Sequence, residues 1–154
     1  MKVLFVCLGN ICRSPLAEGI FLAKTEALGL KWEIESAGTA GYHVGESPHK
    51  LSQKTAKLNG VDISAQRCRQ FIAADMDYFD KIYTMDLDNY NEVKRISGNK
   101  WNPSKTALIL DALYPGQNKS VPDPWYGEEP GYHEVFQLIE RACDKMLEEA
   151  KSEE

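Results

Sequence analysis

The sequence predicts an α/β fold in which a parallel sheet carries helices on both faces. Short strand-like runs alternate along the chain with longer segments of helical period, an order typical of parallel sheets. The first run, Val3–Val6, is continuously apolar, as in a strand buried on both faces. The 154 residues, of which 43% are apolar and 27% charged, match one globular domain, which we assign to residues 1–154.

The first strand–loop–helix unit shows this pattern most clearly. Its strand is predicted at Lys2–Val6 and its loop at Cys7–Arg13. Ser14-Pro15 then predicts the start of a helix, with serine as the N-cap and proline at the first helical position. Gly29 is expected to end this helix. Its apolar positions recur at helical spacing: Leu16, Ile20, Ala23 and Ala27.

Three more strands and three more helices follow in the same alternation. The strands are predicted at Trp32–Ala37, Phe79–Met85 and Thr106–Leu110. The helices are predicted to begin at Ser47-Pro48, at Asp86 or Asp88, and within the amphipathic segment Val135–Leu147. In such a four-stranded sheet, ligands bind beyond the carboxyl ends of the strands, where the loop after the first strand lies.

Charge and hydropathy exclude several classes of protein. A net charge of −5 and a pI near 5.3 argue against a nucleic-acid partner, which would need a basic face. The longest apolar stretch, Val3–Leu8, is far shorter than the roughly 20 residues that cross a bilayer. The N-terminus does not resemble a signal peptide. We therefore expect a cytoplasmic protein with no membrane association.

The cysteines and histidines predict neither a disulfide framework nor a metal site. The four cysteines lack zinc-type spacing, and we expect no metal and no cofactor. Cys68 and Cys143 stand among helix-like neighbours and are interpreted as small buried apolar groups. The three histidines are expected at the surface or at helix caps: His43, His49 and His133.

The loop Cys7–Ser14 combines groups that suit one tetrahedral anion. A loop of this length can wrap its backbone N–H groups around the anion, and the helix N-terminus adds partial positive charge. Arg13 can hold two oxygens of the anion in a bidentate fork. The same field favours Cys7 as a nucleophilic thiolate, and the Ser14 hydroxyl can hydrogen-bond to its sulfur. Nucleophile, oxyanion cradle and guanidinium would then share one centre, whose natural substrate is a phosphate ester. A nucleotide-binding loop is not indicated, because the sequence lacks the glycine patterns of such sites.

A second candidate segment, Val121–Gly127, contains an acid and two aromatic residues. A phenolate, whose conjugate acid has a pKa of about 10, leaves phosphorus more readily when a proton donor is present. Asp123 is our candidate for that donor. Trp125 and Tyr126 are expected to flank an aromatic leaving group by stacking. An ordinary turn, with one aromatic residue packed in the core, is the alternative interpretation.

These motifs resemble those of the low-molecular-weight protein tyrosine phosphatase family. The similarity includes Val-Cys-Leu-Gly-Asn-Ile-Cys-Arg-Ser-Pro at 6–15, Glu-Ser-Ala-Gly-Thr at 35–39, Met85-Asp86 and Asp-Pro-Trp-Tyr-Gly at 123–127. It implies a three-layer, flavodoxin-like fold with a four-stranded parallel sheet, of the phosphotyrosine protein phosphatase I type. It also implies metal-independent hydrolysis of phosphotyrosine in proteins or peptides, with inorganic phosphate as product.

The resemblance further implies roles for individual residues. Cys7 is the nucleophile, Arg13 clamps the transition state, and Asp123 is the general acid. The phosphate loop also includes Leu8, Gly9, Asn10, Ile11, Cys12 and Ser14. Ser36 is expected to support Asn10. The walls for the substrate ring are Tyr42, Trp125 and Tyr126. Spacing and resemblance together suggest that Cys12 forms a reversible disulfide with Cys7, which would protect the nucleophile from over-oxidation.

Two departures from the family pattern are expected to matter. Ile63-Ser64 is followed by Ala65-Gln66, where many members carry a histidine that supports the loop network. The aromatic pair Trp125-Tyr126 stands where many members have two tyrosines, which we expect to alter peptide preference.

Several alternatives stay open at this point. Arsenate reductases on this scaffold relay a disulfide through cysteines after the third strand, and residues 84–91 contain none. Protein-arginine phosphatases typically carry threonine in place of Ile11, whose larger side chain favours a flat phenyl ring. A phosphopeptide-binding module would be expected to lack Cys7, Arg13 or Asp123. Exposed aromatic residues around the site allow either a monomer or weak self-association.

Overall fold

The centre of the computed structural model is a sheet of four parallel strands. They are β1 (Lys2–Cys7), β2 (Glu33–Gly38), β3 (Lys81–Thr84) and β4 (Thr106–Leu108). In space they lie in the order β2-β1-β3-β4. The direction of strand progression therefore reverses at β1, and ligands of open parallel sheets bind at such a reversal. The structure describes residues 1–152, apart from the side chains of Tyr126, Lys151 and Ser152.

Five α-helices pack around the sheet. They are α1 (Arg13–Ala27), α2 (Lys50–Leu58), α3 (Ala73–Tyr78), α4 (Leu87–Ser97) and α5 (Glu129–Ser152). Short 3₁₀ helices occur at Gly98–Lys100, Ile109–Ala112 and Pro124–Tyr126. No helix among the described residues has the length and apolar character that crossing a membrane requires.

Alternate side chains of β1 point to opposite faces of the sheet and build two cores. Val3 and Phe5 pack with residues of α1 and α5 on one face. Leu4 and Val6 pack with residues of α3 and α4 on the other face. All four side chains are 0–1% exposed. The double burial explains the continuous apolar run, and the predicted parallel sheet with helices on both faces is confirmed.

The predicted N-cap at Ser14 is wrong. Helix α1 begins at Arg13, two residues before the predicted first helical residue Pro15, and its N-cap position is Cys12. The Ser14 hydroxyl is engaged elsewhere, by the Cys7 thiol and by the Asn10 amide. Among the described side chains none caps this helix at Cys12. Its first-turn N–H groups are therefore left for a ligand.

The predicted start of α2 at Ser47-Pro48 is also wrong. The backbone N–H of His49 donates to the Ile11 carbonyl at 2.8 Å, which ties this segment to the first loop. The helix starts only at Lys50, and His49 itself is the cap, its Nδ1 accepting from the Leu51 N–H at 3.1 Å. The alternative cap at Asp86 of α4 is confirmed, since its Oδ1 accepts from the Asn89 N–H at 2.8 Å.

Other boundaries differ because short elements were not predicted. The third strand does not start at Phe79, because the unpredicted helix α3 ends at Tyr78. The fourth strand stops at Leu108, where a 3₁₀ helix takes over. Cys68 is buried as expected, but it lies in the irregular segment 61–70 and not in helical surroundings.

Candidate active site

The candidate site lies at the carboxyl end of β1, where the loop after Cys7 curls back over its own thiol. Cys7 is 3% exposed. Its Sγ accepts from the Asn10 backbone N–H at 3.2 Å and shares a hydrogen bond of 3.0 Å with the Ser14 hydroxyl. The hydrogen bond predicted between Ser14 and the Cys7 sulfur is therefore present. A thiolate at this position has two donors directed at it.

Asn10 turns the loop, with a left-handed φ of 56° that asparagine tolerates better than most residues. Its side-chain amide donates to Ser14 Oγ and to Ser36 Oγ, both at 2.9 Å. Its Oδ1 accepts from the Arg69 backbone N–H at 3.0 Å. The Cys68 thiol donates to its carbonyl oxygen at 2.7 Å. Each polar group of this buried residue thus has a partner, which fixes the curvature of the loop.

Gly38, at the end of β2, allows the loop to approach the sheet closely. A Cβ atom built on this residue would lie 2.8 Å from the Leu8 carbonyl oxygen, 2.9 Å from the Gly9 carbonyl carbon and 3.0 Å from the Asn10 nitrogen. All three are backbone atoms, so they cannot yield by a rotamer change. Only glycine at this position allows the end of β2 to pack directly against the loop backbone.

Arg13 is the cation of the site and is 3% exposed. Its Nη1 donates to Asp86 Oδ2 at 2.7 Å and to the Val121 carbonyl at 3.0 Å. Its Nη2 lies 3.7 Å from Asp123 Oδ2. Burial alone would lower the pKa of the guanidinium, but the charges of Cys7, Asp86 and Asp123 outweigh it and raise the pKa above its ordinary value. Arg13 is therefore a fixed positive charge.

Asp123 sits at the rim of the site, facing the guanidinium of Arg13. Its Oδ1 accepts from the Trp125 backbone N–H at 3.1 Å and so caps the 3₁₀ turn that follows. Its side chain is 35% exposed. One carboxylate oxygen is thus held by the backbone, while the other faces the cation.

These groups line one open cavity of about 180 Å³. Cys7, Arg13 and Asp123 face it together, as predicted from the two separate motifs. Tyr42 and Trp125 stand at its mouth and are 78% and 39% exposed. The remaining lining residues are Leu8, Gly9, Ile11, Cys12 and His43. The predicted position of the Tyr126 side chain lies outside the described residues.

Two histidines, predicted at the surface or at helix caps, pack against Trp125. The ring centroids of His43 and His49 lie 5.4 and 5.3 Å from that of Trp125. His49 also stacks on Tyr132 at 5.3 Å, and His43 pairs with Glu46 at 2.8 Å. The wall of the cavity is therefore an aromatic cluster anchored on α5.

Cys12 lines the same cavity as Cys7, but in a different environment. Its Sγ lies 3.8 Å from the hydroxyl of Tyr132. Burial, helped by the negative charges of Asp123 and Cys7, raises the pKa of the Cys12 thiol to about 12. Cys12 is therefore a protonated thiol at neutral pH, beside a cysteine that faces Arg13. All four cysteines are free.

Three residues of the site were not predicted as such: Asp86, Gly38 and Glu18. Asp86 was expected only as a helix cap and a family motif, yet it also holds Arg13. The sequence signal for this role is the position of Asp86 just after β3, at the same edge of the sheet as Cys7. Glu18 accepts a hydrogen bond from Ser36 at 2.7 Å. Gln66 donates to the Pro15 carbonyl at 3.1 Å.

Within residues 1–152, no three His, Cys, Asp or Glu side chains come together in a way that would hold a metal ion. The positive field of the cavity comes from Arg13 and from the N-terminus of α1. The arrangement is suited to a small oxyanion held next to a thiolate.

We predict that Gly38→Ala weakens binding of inorganic phosphate, on the order of tenfold to 10²-fold, because the new Cβ displaces the loop backbone. Isothermal titration calorimetry measures this affinity directly. Gly131→Ala is the matched control, since its Cβ would meet only the Pro124 Cβ at 4.0 Å. Equal affinity of wild type and Gly38→Ala would show that the loop does not depend on this close approach.

The chain is similar to known proteins over nearly its whole length. Residues 2–154 match the family model described as low molecular weight phosphotyrosine protein phosphatase. The human protein of that name is 35% identical over 151 residues, which are 97% of this chain and 95% of the human one. The crystal structure of YfkJ from Bacillus subtilis superposes with a TM-score of 0.91 at 38% identity, over 100% of this chain and 96% of that one.

The Drosophila arginine phosphatase DARP is also similar in structure. Its TM-score is 0.90 at 30% identity, with full coverage of both chains. Proteins named as phosphotyrosine phosphatases and a protein named as an arginine phosphatase therefore share this fold. The whole-chain match to the family model and the identity to its relatives show that this chain belongs to the low molecular weight phosphotyrosine protein phosphatase family.

Proposed function

We propose that this chain is a metal-independent phosphatase that hydrolyses phosphotyrosine through a cysteinyl-phosphate intermediate. The observation that carries the proposal is the convergence of Cys7, Arg13 and Asp123 on one cavity. Displacement by a cysteine at a phosphate monoester uses three groups: a thiolate, a buried cation and a carboxyl group at the rim of the cavity. The family's name and the names of its relatives support the same reaction.

In the first step the Cys7 thiolate attacks phosphorus in line with the leaving phenol oxygen. An S–P bond forms while the P–O bond to the phenol breaks. The loop N–H groups and Arg13 hold the three equatorial oxygens, over which the charge of the transferring group is spread in the transition state. Asp86 and the Val121 carbonyl occupy Nη1 of Arg13. That anchoring leaves the other N–H groups of the fork for the substrate.

Asp123 is the group we assign to proton transfer in both steps. As a carboxylic acid it gives its proton to the departing phenol oxygen. As a carboxylate it then takes a proton from the water that attacks the cysteinyl phosphate. That second attack breaks the S–P bond and releases inorganic phosphate and the Cys7 thiolate. The rim position of Asp123, whose side chain is 35% exposed, suits the replacement of the leaving group by water.

The walls of the cavity favour tyrosine as the phosphorylated residue. Tyr42 and Trp125 present aromatic faces at the mouth, where a phenyl ring can stack. Ile11 supplies an apolar side chain that suits a flat ring better than a guanidinium. Phosphoarginine is the alternative raised by the similarity to DARP, and arsenate reduction has no relay cysteine in residues 84–91.

The proposed partners are phosphotyrosine-containing proteins or peptides, acted on by one domain spanning residues 1–154. A cytoplasmic location belongs to the same proposal, because the nucleophile must stay a free thiol and reducing compartments preserve thiols. The chain is proposed to be a monomer or to self-associate weakly, because Tyr42 and Trp125 are exposed aromatic side chains that a second copy could contact.

We expect hydrolysis of p-nitrophenyl phosphate and of a phosphotyrosine peptide in the presence of EDTA. Cys7→Ser should abolish both reactions. Asp123→Ala should lower kcat by about 10²- to 10⁴-fold on the peptide and by less on p-nitrophenyl phosphate, whose leaving group needs less protonation. Glu128→Ala is the matched control, an exposed acid in the same loop that should retain activity.

The outcomes separate the candidates. Inactivity of wild type on both substrates, with release of phosphate from phosphoarginine, would replace tyrosine by arginine as the target. Full activity of Cys7→Ser would contradict the cysteinyl-phosphate mechanism itself. Loss of activity in EDTA that added divalent metal restores would contradict metal independence.

Reversible protection of Cys7 by Cys12 is a separate proposal. Peroxide would oxidise the Cys7 thiolate to a sulfenic acid, and the Cys12 sulfur would displace water to form a disulfide. Because burial raises the pKa of Cys12 to about 12, we expect this step to be slow at neutral pH. Activity lost to peroxide should return with dithiothreitol in wild type and in Cys143→Ala, but not in Cys12→Ser. Irreversible loss in wild type, with no Cys7–Cys12 species by mass spectrometry, would refute the proposal.

A further inference from the structure

Helix α2 begins with a capping residue that local preference does not favour. Ser47-Pro48 offers a serine N-cap followed by proline, yet the helix starts at Lys50 with His49 as its cap. Histidine is not among the residues that N-cap positions prefer. Residues that break a local preference are found mainly where a second role requires them. The contacts of His49 indicate such a role.

Three contacts fix the position of the His49 ring. Its backbone N–H donates to the Ile11 carbonyl at 2.8 Å, which joins it to the phosphate loop. Its Nδ1 accepts from the Leu51 N–H at 3.1 Å. Its ring stacks on that of Tyr132, with the centroids 5.3 Å apart and the planes at 19°. Because Tyr132 is fully buried on α5, the ring of His49 rests on the core.

The cap also fixes the protonation state of the ring. A nitrogen that accepts a hydrogen bond carries no proton, so the proton of the neutral ring is on Nε2. A protonated ring would lose the cap, because both of its nitrogens would donate. Burial and the positive charges of His43 and Lys50 lower the pKa of His49, which favours the same neutral form. His49 is thus a neutral aromatic ring of fixed orientation.

Trp125 packs against this fixed ring. The centroids of His49 and Trp125 lie 5.3 Å apart with the planes at 74°, an edge-to-face arrangement. Trp125 is itself partly exposed at the mouth of the cavity. Its other ring neighbour, His43, pairs with the exposed Glu46 at 2.8 Å. Among the described ring contacts of these two histidines, only that of His49 continues to a buried ring.

The phosphate loop and the aromatic wall are therefore joined in two steps. The first step is the hydrogen bond from His49 to Ile11, and the second is the ring contact from His49 to Trp125. Ile11 and Trp125 line the same cavity. An aryl phosphate must place its phosphoryl group in the loop and its ring against the wall at once, so the spacing between them affects its binding. Free phosphate occupies the loop alone and does not depend on that spacing.

We propose that His49 is a positioning residue for substrate specificity: it sets Trp125 at the distance from the phosphate loop that an aryl phosphate needs. The inference rests on the proposed function, in which Trp125 flanks the phenyl ring of the substrate. His49 is not among the residues that line the cavity, so it acts through Trp125.

Two substitutions separate the ring of His49 from its cap. His49→Asn keeps an acceptor for the Leu51 N–H and removes the ring, whereas His49→Phe keeps a ring and removes the acceptor. Isothermal titration calorimetry measures the affinities for inorganic phosphate and for phenylphosphonate, which cannot be hydrolysed. His49→Asn should weaken phenylphosphonate binding by about two- to tenfold, the worth of one aromatic contact, and leave phosphate binding unchanged. His49→Phe should lower Tm by several degrees and keep the wild-type ratio of the two affinities.

A double-mutant cycle tests whether His49 acts through Trp125. Trp125→Ala should weaken phenylphosphonate binding, and adding His49→Asn to it should cause no further loss. His133→Asn is the matched control, since it changes a histidine of α5 that pairs with Glu129 outside the cavity. His49→Ser also keeps a capping acceptor and covers the case in which His49→Asn does not fold.

Equal weakening of both ligands in His49→Asn, or a further loss when it is added to Trp125→Ala, would overturn the proposal. So would wild-type affinities in His49→Asn together with weaker phenylphosphonate binding in His49→Phe, because His49 would then act only as a cap. None of these measurements needs turnover. A wild type that hydrolyses no aryl phosphate but shows the predicted affinities would refute the proposed function and support the assignment of His49.

Discussion

The structure around the cavity depends on one strained and fully hydrogen-bonded residue, Asn10. Its left-handed φ of 56° turns the loop, and its polar groups bond to β2, to α1 and to the segment 61–70. Its backbone N–H meets the Cys7 sulfur at 3.2 Å. A single residue thus couples the shape of the anion cradle to the position of the nucleophile. Losing its side chain would leave the Arg69 backbone N–H without its acceptor and would remove one donor each from Ser14 and Ser36. A buried polar group left unpaired costs about 1–3 kcal/mol.

The second constraint is electrostatic. The chain carries a net charge of −5, so the field that binds an oxyanion must be local. It is built from the N-terminus of α1 and from Arg13, whose charge is secured by Asp86 and Asp123 at 2.7 and 3.7 Å. The two carboxylates hold the guanidinium in place but also compete with a substrate for it. Asp123, further away and more exposed, is the one that can turn to the leaving group.

Much of the fold and of the site could be predicted from local patterns. The buried run of β1, the strand–helix alternation and the loop from Cys7 to Arg13 are local signals, and each is found in the structure. Hydrogen bonds that cross the fold decided the rest. Ser14 is not an N-cap because Cys7 and Asn10 engage its hydroxyl, and α2 starts late because His49 is tied to Ile11. The six-residue helix α3 is too short to show a helical period.

Local sequence patterns do not reveal residues whose role depends on partners far away in the chain. Gly38 matters only because the loop backbone passes within 3.0 Å of the Cβ position, and Glu18 only because it lies under Ser36. Asp86 was visible as a cap, but its pairing with Arg13 requires knowing that β3 lies next to β1. Such contacts form only when the chain has folded and the strands lie side by side. For Asp86, the sequence signal is the position of a polar residue just after a strand.

The central claim is that the Cys7 sulfur, the loop N–H groups and Arg13 share one phosphoryl centre. A crystal structure with orthovanadate tests it most directly. We predict vanadium bonded to Cys7 Sγ, with equatorial oxygens on the loop N–H groups and the Arg13 guanidinium and an apical oxygen next to Asp123. Vanadate bound away from Cys7, or bound there while Arg13 makes no contact with it, would contradict the claim.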